Sequence, residues 1–527
     1  MAKILISDSL AEEGVNILRK QKGIRVDVKT KLPVEELKKI IGEYDAIIVR
    51  SQTKITKDII KHAKRLRYIG RAGVGLDNVD VNEASKKGII VMNAPGGNTV
   101  STAEHTFSLI LSLSRNIPQA DASVKRGQWE RKKFMGVELY GKTLGIIGLG
   151  RIGAAVAGYA ASFKMRVIAC DPFLSPQRAK ELGIESVSLD NLFKKSDYIT
   201  VHAPLTDETY HIIGERSFKK MKRGVRIINC ARGGIVDEKA LIKAIESGRA
   251  AGAALDVYEK EPPGQEKITA IDKIITTPHL GASTEEAQVN VAIDIAGSIL
   301  DAIEHRGIRN AVNVPSIEPG LLKVLEPYLN LAEKVGSMHA QLIEGYIKKV
   351  RIKYVGDIVN FNLNHMTRSI MKGMLAHTLE EGVNYVNALV IARERGIKIN
   401  EEKTKEIEDF ANLLIVEVET DRMKNLIVGT LFTKIDPRIV KINQFYVDAV
   451  PDGNILVIYN YDRPGIVGQI GSILGSNGIN IAGMTFGRAK RGGSAITLLN
   501  VDSKIPENVL RKIMKAKHIK EAKLIKL

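Results

Sequence analysis

Residues 148–153 read Gly-Leu-Gly-Arg-Ile-Gly, and their surroundings constrain this 527-residue chain more than any other feature. A β-rich apolar run, 143–147, leads into them, and an apolar stretch with helical spacing, 154–163, follows. A second such run, 166–170, closes on Asp171, 18 residues past Gly153. Strand, glycine turn, helix, strand and terminal acid together turn a weak GxGxxG pattern into a dinucleotide-binding expectation. Gly148, Gly150 and Gly153 let backbone come close to a pyrophosphate. That anion would sit at the helix N-terminus, where unpaired N–H groups and the helix dipole favour negative charge. Arg151 lies inside the same loop and could reach it. A carboxylate at Asp171 would accept a hydrogen bond from a ribose 2′-hydroxyl and repel a 2′-phosphate, which predicts NAD rather than NADP. Two plainer readings stay open: a strand–helix turn without a ligand, and an Asp171-Pro172 turn initiator.

The same alternation runs through the first 283 residues. KILIS (3–7), DAIIVRS (45–51) and RYIGRAG (67–73) are predicted strands, with GVNILRK and PVEELKKIIGE as helices between them. From residue 99 onward TLGIIG, RVIACD, YITVHAP, VRIINCA, AGAALDV and KIITTPH repeat the pattern in short β-rich bursts, as strands covered on both faces should. Strands alternating with helices predict an α/β fold built on parallel sheets. TEEAQVNVAIDIAGSILDAI (284–303) has helical spacing. Beyond about 308 the rhythm changes. Pro315, Pro319 and Gly320 read as a linker, and mixed helices and strands follow to 448, with no Gly-rich loop, no His/Cys/Asp cluster and no expected chemistry. Residues 451–527 read strand, helix, hairpin, helix, strand, the βαββαβ order of a ferredoxin-like unit.

Composition narrows the class. Lys and Arg number 78 against 60 Asp and Glu, a net charge of +18. A nucleic-acid surface is one source of such an excess, and an enzyme that handles small anions is another. The basic residues are scattered and densest from Lys504 to Lys526, where they interleave with apolar residues as on the wet face of a helix and a strand. No nucleic-acid partner is expected. No run approaches the ~18 apolar residues a membrane helix needs, and the opening MAKILISDSLAEEG lacks the layout of a secretory signal. Two cysteines cannot make a disulfide framework, so a reducing cytoplasm is expected. No metal is expected.

Three reactive residue types stand at predicted strand ends: Arg232 in NCARGGIVDE, Glu261 in DVYEKEPP and His279 in PHLGAST. Ligands of open α/β sheets bind beyond the carboxyl ends of strands, so these side chains can converge. Oxidising an alcohol with NAD needs a base for the hydroxyl proton, a group that tunes the base, and a clamp for the substrate's anion. His279 suits the first role, with an ordinary pKa near ~6.5. Glu261 could hold the imidazole tautomer and raise its pKa. Arg232 offers a planar fork to a carboxylate and could polarise a forming carbonyl. Each has an ordinary alternative: a turn histidine after proline, a solvated loop acid, a salt-bridge arginine.

GLGRIG, NCARGGIVDE, ALDVYEKEPP and PHLGAST, in this order, resemble the motifs of the D-isomer-specific 2-hydroxyacid dehydrogenase family. VRSQTKIT (49–56), GRAGVGLDNVD (70–80), NAPGGNTVSTAEHT (93–106), GQWERKKFMGVELYGKTLG (127–145) and the C-terminal unit extend the likeness to the family's long form over essentially the whole chain. The resemblance implies a Rossmann-type doubly wound parallel sheet at 99–283, inserted in a flavodoxin-like substrate domain at 1–98 and 284–307. It further implies an α+β intervening domain at 308–448 and a ferredoxin-like ACT domain at 451–527. The implied activity is NAD-dependent oxidation of 3-phospho-D-glycerate to 3-phosphohydroxypyruvate, the first step of phosphorylated serine biosynthesis, with Arg232, Glu261 and His279 catalytic. Arg151, Ile152 and Asp171 match cofactor contacts, as do Val74, Ala203, Cys230, Ala231, Arg232, Asp256, His279, Leu280, Gly281 and Ala282. Positions 74 and 203 are often Thr in relatives, so only backbone contacts would persist here. Arg50, Arg71, Gly97 and Asn98 match substrate positions, and the two arginines suit a substrate carrying a carboxylate and a phosphate.

The resemblance also implies a homo-oligomer, dimer or tetramer, in which the Trp129 region reaches a neighbouring subunit. Arg131, Lys132 and Lys133 would add positive potential from there or form a solvated basic face. In the ACT unit Asn460, Asp462 and Asn480 match contacts to serine as a feedback effector; an assembly domain that binds nothing is the alternative. The intervening stretch, whose basic residues include Lys348, Lys349, Arg351 and Lys353, is thought to bind an anion in the family. Three other functions compete: reduction of another 2-keto acid such as glyoxylate or hydroxypyruvate, NAD sensing without turnover, and nucleic-acid binding. The paired arginines and the C-terminal sensor disfavour the first, the complete triad disfavours the second, and no motif supports the third.

Overall fold

The computed structural model describes residues 1–264, 267–377, 379, 382–406 and 410–527. Five strands open the chain: β1 (Ala2–Ile6), β2 (Ile24–Val28), β3 (Ala46–Val49), β4 (Tyr68–Arg71) and β5 (Ile90–Asn93). They form a parallel sheet in the order β2-β1-β3-β4-β5, the flavodoxin-like arrangement. Alternate side chains of each strand enter opposite cores. Ile4, Ile6, Ile48 and Met92 meet the helices Glu12–Arg19 and Glu285–Ile303 through Val15, Leu18, Val291, Ile295 and Ile299. Leu5, Ile47, Val49 and Val91 face the other way, onto the helices Val34–Ile40 and Lys57–His62. The helix Glu285–Ile303 therefore belongs to this first body although a second sheet intervenes in the chain.

That second sheet contains β6 (Thr143–Ile147), β7 (Arg166–Cys170), β8 (Glu185–Ser186), β9 (Tyr198–Val201), β10 (Val225–Asn229), β11 (Ala250–Leu255) and β12 (Ile274–Thr276). All pairs are parallel, in the order β12-β11-β10-β9-β6-β7-β8. The winding reverses between β6 and β9, as in a Rossmann sheet, and this opens a crevice at the strand ends. Helices Thr99–Arg115 and Arg151–Ser162 cover one face, with Ala103, Phe107, Val156 and Ala160 on Leu144 and Ile146. The helix after the glycine motif begins at Arg151, not at residue 154. Its first three residues, Arg151, Ile152 and Gly153, also belong to the glycine motif, which reads from sequence as the turn.

Six more strands follow: β13 (Ile347–Gly356), β14 (Lys398–Thr404), β15 (Asn412–Thr420), β16 (Lys424–Leu431), β17 (Pro437–Ile442) and β18 (Phe445–Ala449). Their order is β14-β13-β15-β16-β17-β18, parallel only between β13 and β14. Pro319 and Gly320 are not linker residues. They open the helix Pro319–Leu342, where proline's missing N–H would have been unpaired in any case. The last unit has β19 (Asn454–Tyr461), β20 (Ile481–Arg488), β21 (Ser494–Val501) and β22 (Ile519–Lys526), antiparallel in the order β20-β21-β19-β22. Its helices Ile466–Ser476 and Glu507–Met514 cover one face. The other face, through Ile455, Val457, Ile496, Leu498 and Ile525, joins the core that it shares with the β13–β18 sheet and the helix Pro319–Leu342. The Lys-rich tail is the amphipathic helix and final strand that its pattern predicted, burying Val509, Ile513, Ala522 and Ile525. Among the described residues no helix is long and apolar enough to cross a membrane.

Candidate active site

The expected residues of the first two bodies cluster at or beyond the carboxyl ends of their strands. Arg50 follows β3, Arg71 ends β4, and Gly97 and Asn98 follow β5. Gly148 follows β6, Asp171 follows β7, Arg232 follows β10, Glu261 follows β11 and His279 follows β12. Parallel winding puts all these ends on one edge of each sheet.

His279 and Glu261 form the centre. His279 Nδ1 lies 2.8 Å from Glu261 Oε2, and Glu261 Oε1 accepts the Tyr258 N–H at 3.2 Å. The His279 backbone is left-handed, φ 58°, with its N–H on Thr277 O at 3.1 Å. That turn aims the ring back toward the loop holding Glu261. The hydrogen bond to Glu261 raises the His279 pKa above the ordinary imidazole value, against burial, with the Asp256 charge adding to the rise and Arg232 opposing it. Glu261 is pushed up by burial, but the His279 hydrogen bond and charge outweigh this and hold it below the usual carboxylate value. With Nδ1 committed to the carboxylate, Nε2 is the nitrogen left for a substrate proton.

Arg232 acts on this pair, and Arg71 and Arg50 lie close enough to Arg232 or to each other for their charges to couple. Burial, then the neighbouring Arg232 charge, pushes the Arg71 pKa down to about 10, with Arg50 adding to the effect. Arg71 Nε is buried and has no hydrogen-bond partner among the described residues. A cation crowded by two others, with an unused buried donor, is a site shaped for an anion. Arg50 donates through Nη1 to Ser9 O at 3.2 Å, and its N–H meets Asp8 Oδ2 at 2.6 Å. Asn98 precedes the helix Thr99–Arg115 without capping it, and its Oδ1 is also buried and unpartnered. Gly97 sits tight against Val291 of the helix Glu285–Ile303.

The glycine motif is an open cradle. Gly148 has φ 89° and lies so close to β9's exit that a Cβ would stand 2.6 Å from His202 O. A Cβ on Gly153 would stand 2.3 Å from Gly148 O, so helix and strand meet only without side chains. At Gly150 nothing lies within 4 Å of a Cβ position, and no side chain caps the helix Arg151–Ser162. Its first N–H groups are therefore available to a pyrophosphate between Gly150, Arg151 and Ile152. Asp171 accepts the Leu149 N–H on Oδ2 and the Phe173 N–H on Oδ1, each at 2.7 Å. A carboxylate has about four acceptor positions, so it can shape the loop and still receive a ribose hydroxyl.

Val74, Ala203 and Ala231, which follow β4, β9 and β10, are half-buried, and Cys230 is buried, its thiol pushed up to about 12 by burial. Both cysteines are free. Asp256, expected among the cofactor contacts, is a buried anchor in this structure. It is 0% exposed, and its carboxylate accepts from Thr277 Oγ1 at 2.6 Å, Leu280 N at 2.7 Å and Gly281 N at 2.9 Å. These bonds hold the 279–282 loop in place at the strand ends. Ser101 and Thr102 hydroxyls fix that loop from the other side, on Gly281 O at 2.8 and 3.0 Å. Ala282 O takes the Gln288 amide at 2.7 Å.

Sequence reading passed over Asn229, which ties the arginine turn together: Oδ1 accepts from Ala231 N at 3.0 Å and Nδ2 donates to Arg232 O at 2.8 Å. Its place in the NCARGG motif was the available signal. Asp77, paired with Arg232 Nε at 3.0 Å, lay in a quoted motif but had no expected role. Away from the cleft, His211, Asp237 and Glu259 bring three ligand-type atoms within 4.8 Å. Asp237 is engaged as a helix cap to Ala240 N and Glu259 accepts the Glu238 N–H, so the group reads as a clasp between loops.

In the last unit the expected effector positions have separate hydrogen-bond partners. Asn460 is 0% exposed, with its amide donated to Tyr461 O at 2.9 Å and its carbonyl accepting from Thr497 Oγ1 at 3.1 Å. Its side chain is hydrogen-bonded inside the sheet. Asp462 accepts from Gly492 N at 3.0 Å and Arg488 Nη1 at 3.3 Å, and Asn480 donates to Asp502 at 2.7 Å. In the intervening stretch Arg351 is taken by Glu417 and Glu419 across the sheet, which spends its charge.

Residues 107–281 match the family described as D-isomer specific 2-hydroxyacid dehydrogenase, NAD binding domain. Residues 324–443 match the D-3-phosphoglycerate dehydrogenase intervening domain, and 454–518 the ACT domain. The D-3-phosphoglycerate dehydrogenase of Archaeoglobus fulgidus is 46% identical over 528 residues, covering 100% of both chains. Among solved structures, a protein from Thermus thermophilus superposes with a TM-score of 0.55 at 33% identity, over 59% of this chain and 99% of its own. A D-lactate dehydrogenase from Aquifex aeolicus, complexed with NAD and lactic acid, gives 0.51 at 32% identity, over 57% and 96%.

Proposed function

The chain belongs to the D-isomer-specific 2-hydroxyacid dehydrogenase family, among its D-3-phosphoglycerate dehydrogenases, and on that premise we propose how its residues perform the reaction. The chain is an NAD-dependent oxidoreductase that converts 3-phospho-D-glycerate to 3-phosphohydroxypyruvate, at the entry to serine biosynthesis. The observation that carries the residue assignment is the His279–Glu261 pair at 2.8 Å, set beyond the strand ends within the field of Arg232.

Bound NAD supplies the hydride acceptor. His279 Nε2 takes the proton of the C2 hydroxyl as the C2 hydride departs, which leaves a ketone and an imidazolium. Glu261 fixes the tautomer and stabilises the imidazolium. Arg232 grips the carboxylate and polarises the forming carbonyl. Arg50 and Arg71 hold the remaining anionic oxygens, for which the unpartnered Arg71 Nε is a ready donor. Gly148, Gly150 and Gly153 with Arg151 and Ile152 cradle the pyrophosphate, and Asp171 takes the adenosine ribose.

The ACT unit supports serine feedback through Asp462 and Asn480. Self-association is supported by exposed apolar residues around the helix Ile117–Lys125 and its following loop, including Trp129 at 78% and Met135 at 80% exposure. Free thiols and the absence of a membrane-crossing helix among the described residues support a cytoplasmic place. Steady-state kinetics with 3-phosphoglycerate and NAD, with and without serine, test the reading. Turnover of glycolate or lactate at a higher kcat/KM than 3-phosphoglycerate would overturn the substrate assignment, and insensitivity to serine the effector.

A further inference from the structure

We propose that Asp77 is a positioning residue that sets the geometry of Arg232 from across the cleft, an inference that rests on the reaction assigned above. Asp77 belongs to the loop that follows β4 in the substrate-binding body, whereas Arg232 follows β10 in the cofactor-binding body. Their contact, Arg232 Nε to Asp77 Oδ2 at 3.0 Å, joins residues 155 positions apart. Asp77 is 71% exposed and Arg232 28%.

The bond is made at Nε, on the side of the guanidinium. Nη1 is turned onto the residue's own neighbour, Ala231 O, at 2.6 Å. Nη2 lies over Gly75, where a Cβ would stand only 1.8 Å away. Arg232 is thus bonded at two points, one of them from the 73–78 loop, and Gly75 of that loop leaves room for Nη2. The same loop serves the other arginines. A Cβ on Gly73 would stand 1.6 Å from Arg71 Nη1. Asn78 Nδ2 donates to Arg50 O at 2.7 Å and to Thr53 O at 2.6 Å. One short segment therefore touches all three arginines, Arg71 and Arg232 at their guanidinium groups and Arg50 at its backbone carbonyl, and Asp77 is its only acid. A carboxylate between Arg71 and Arg232 lowers their mutual repulsion while the substrate is away. It also orients the fork for a carboxylate that must be held in one plane with the reacting carbon.

Two electrostatic consequences of removing Asp77 point in opposite directions, which makes the idea testable. If Asp77 served only as a negative charge near a polyanionic substrate, its loss would lower KM and leave kcat alone. If it positions Arg232, its loss lowers kcat. The test uses the full-length chain with NAD and 3-phosphoglycerate, in the parent, Asp77→Ala, Asp77→Asn, Arg232→Ala and the Asp77→Ala/Arg232→Ala double variant.

Loss of one charge-assisted hydrogen bond predicts a kcat about tenfold lower in Asp77→Ala. Asp77→Asn keeps an acceptor of the same shape and should recover to within about threefold of the parent. In the Arg232→Ala background the Asp77→Ala change should cost less than about twofold, because its target is already gone. An Asp77→Ala enzyme with parental kcat and lowered KM overturns the proposal. So does a full tenfold loss in the Arg232→Ala background, the signature of general structural damage. A parent that does not turn over 3-phosphoglycerate would instead refute the reaction, which keeps the two failures apart.

Discussion

Replacing Glu261 with glutamine keeps the volume of the side chain and removes its charge. In the structure Glu261 Oε2 meets His279 Nδ1 at 2.8 Å, with the two side chains 39% and 48% exposed. A hydrogen bond to a charged partner contributes about 1.5–3 kcal/mol. Solvent screening at this exposure brings that to about 1 kcal/mol. At 1.36 kcal/mol per tenfold, kcat at saturating substrate and at pH values where His279 is neutral should fall roughly fivefold. The pH profile is the sharper readout. Oxidation needs the neutral imidazole, so activity is present above the raised His279 pKa and is lost as pH falls through it. Glutamine lowers that pKa, so the acid limb of kcat moves to lower pH. Reduction of the keto acid needs the imidazolium, and its alkaline limb moves down with it.

The His279 contribution to stability runs opposite to the activity limb. The His279 contribution is complete below the unfolded imidazole pKa and lost as pH rises through the raised folded value. The Glu261 contribution is present above the unfolded carboxylate value of 4.5 and lost as pH falls through its lowered folded value. Initial rates of NADH formation across pH, in parent and Glu261→Gln, read the limb directly. A limb that stays in place, or moves upward, refutes the claim that Glu261 tunes His279.

Three other outcomes follow from particular contacts. His279→Ala should reduce kcat by about 10²–10⁴-fold while leaving NAD binding intact, measured by turnover and by NADH fluorescence titration; full activity would remove His279 from the mechanism. Asp171→Ala should raise the NADP-to-NAD ratio of kcat/KM about tenfold and weaken NAD binding, because it removes both the ribose acceptor and the Leu149 anchor at 2.7 Å; an unchanged ratio would leave Asp171 as a loop residue only. Gly153→Ala forces a Cβ to within 2.3 Å of Gly148 O, and should cost about 1–3 kcal/mol of stability by denaturant unfolding together with NAD affinity.

The cofactor cradle was legible in the chain because its logic is local: three glycines, a strand before and a helix and an acid after, all within 29 residues from Thr143 to Asp171. The reactive types Arg232, Glu261 and His279 were legible for a related reason, since each follows a β-rich run whose end faces a crevice. Their convergence was not, because it depends on the order β12-β11-β10, which no periodicity encodes. Likewise the chain did not show that Asp256 anchors the 279–282 loop from a buried position, or that the Asn460 side chain is hydrogen-bonded within its own sheet. Sequence records which groups a strand end carries, but solvent access and hydrogen-bond satisfaction are settled by what packs from elsewhere.

What the amino-acid order determined by itself was therefore the repeating βα architecture, the dinucleotide turn, the ferredoxin-like final unit and the chemical types at the strand ends, all properties of short windows. What the tertiary structure decided was the company those residues keep. It joined the helix Glu285–Ile303 to the first sheet, set Glu261 2.8 Å from His279, and left Arg71 Nε buried without a partner among the described residues. It also brought Asp77 to Arg232 across 155 residues of chain. The reason is physical: burial and charge coupling act through space over a few ångströms, and only the folded chain determines which residues lie that close.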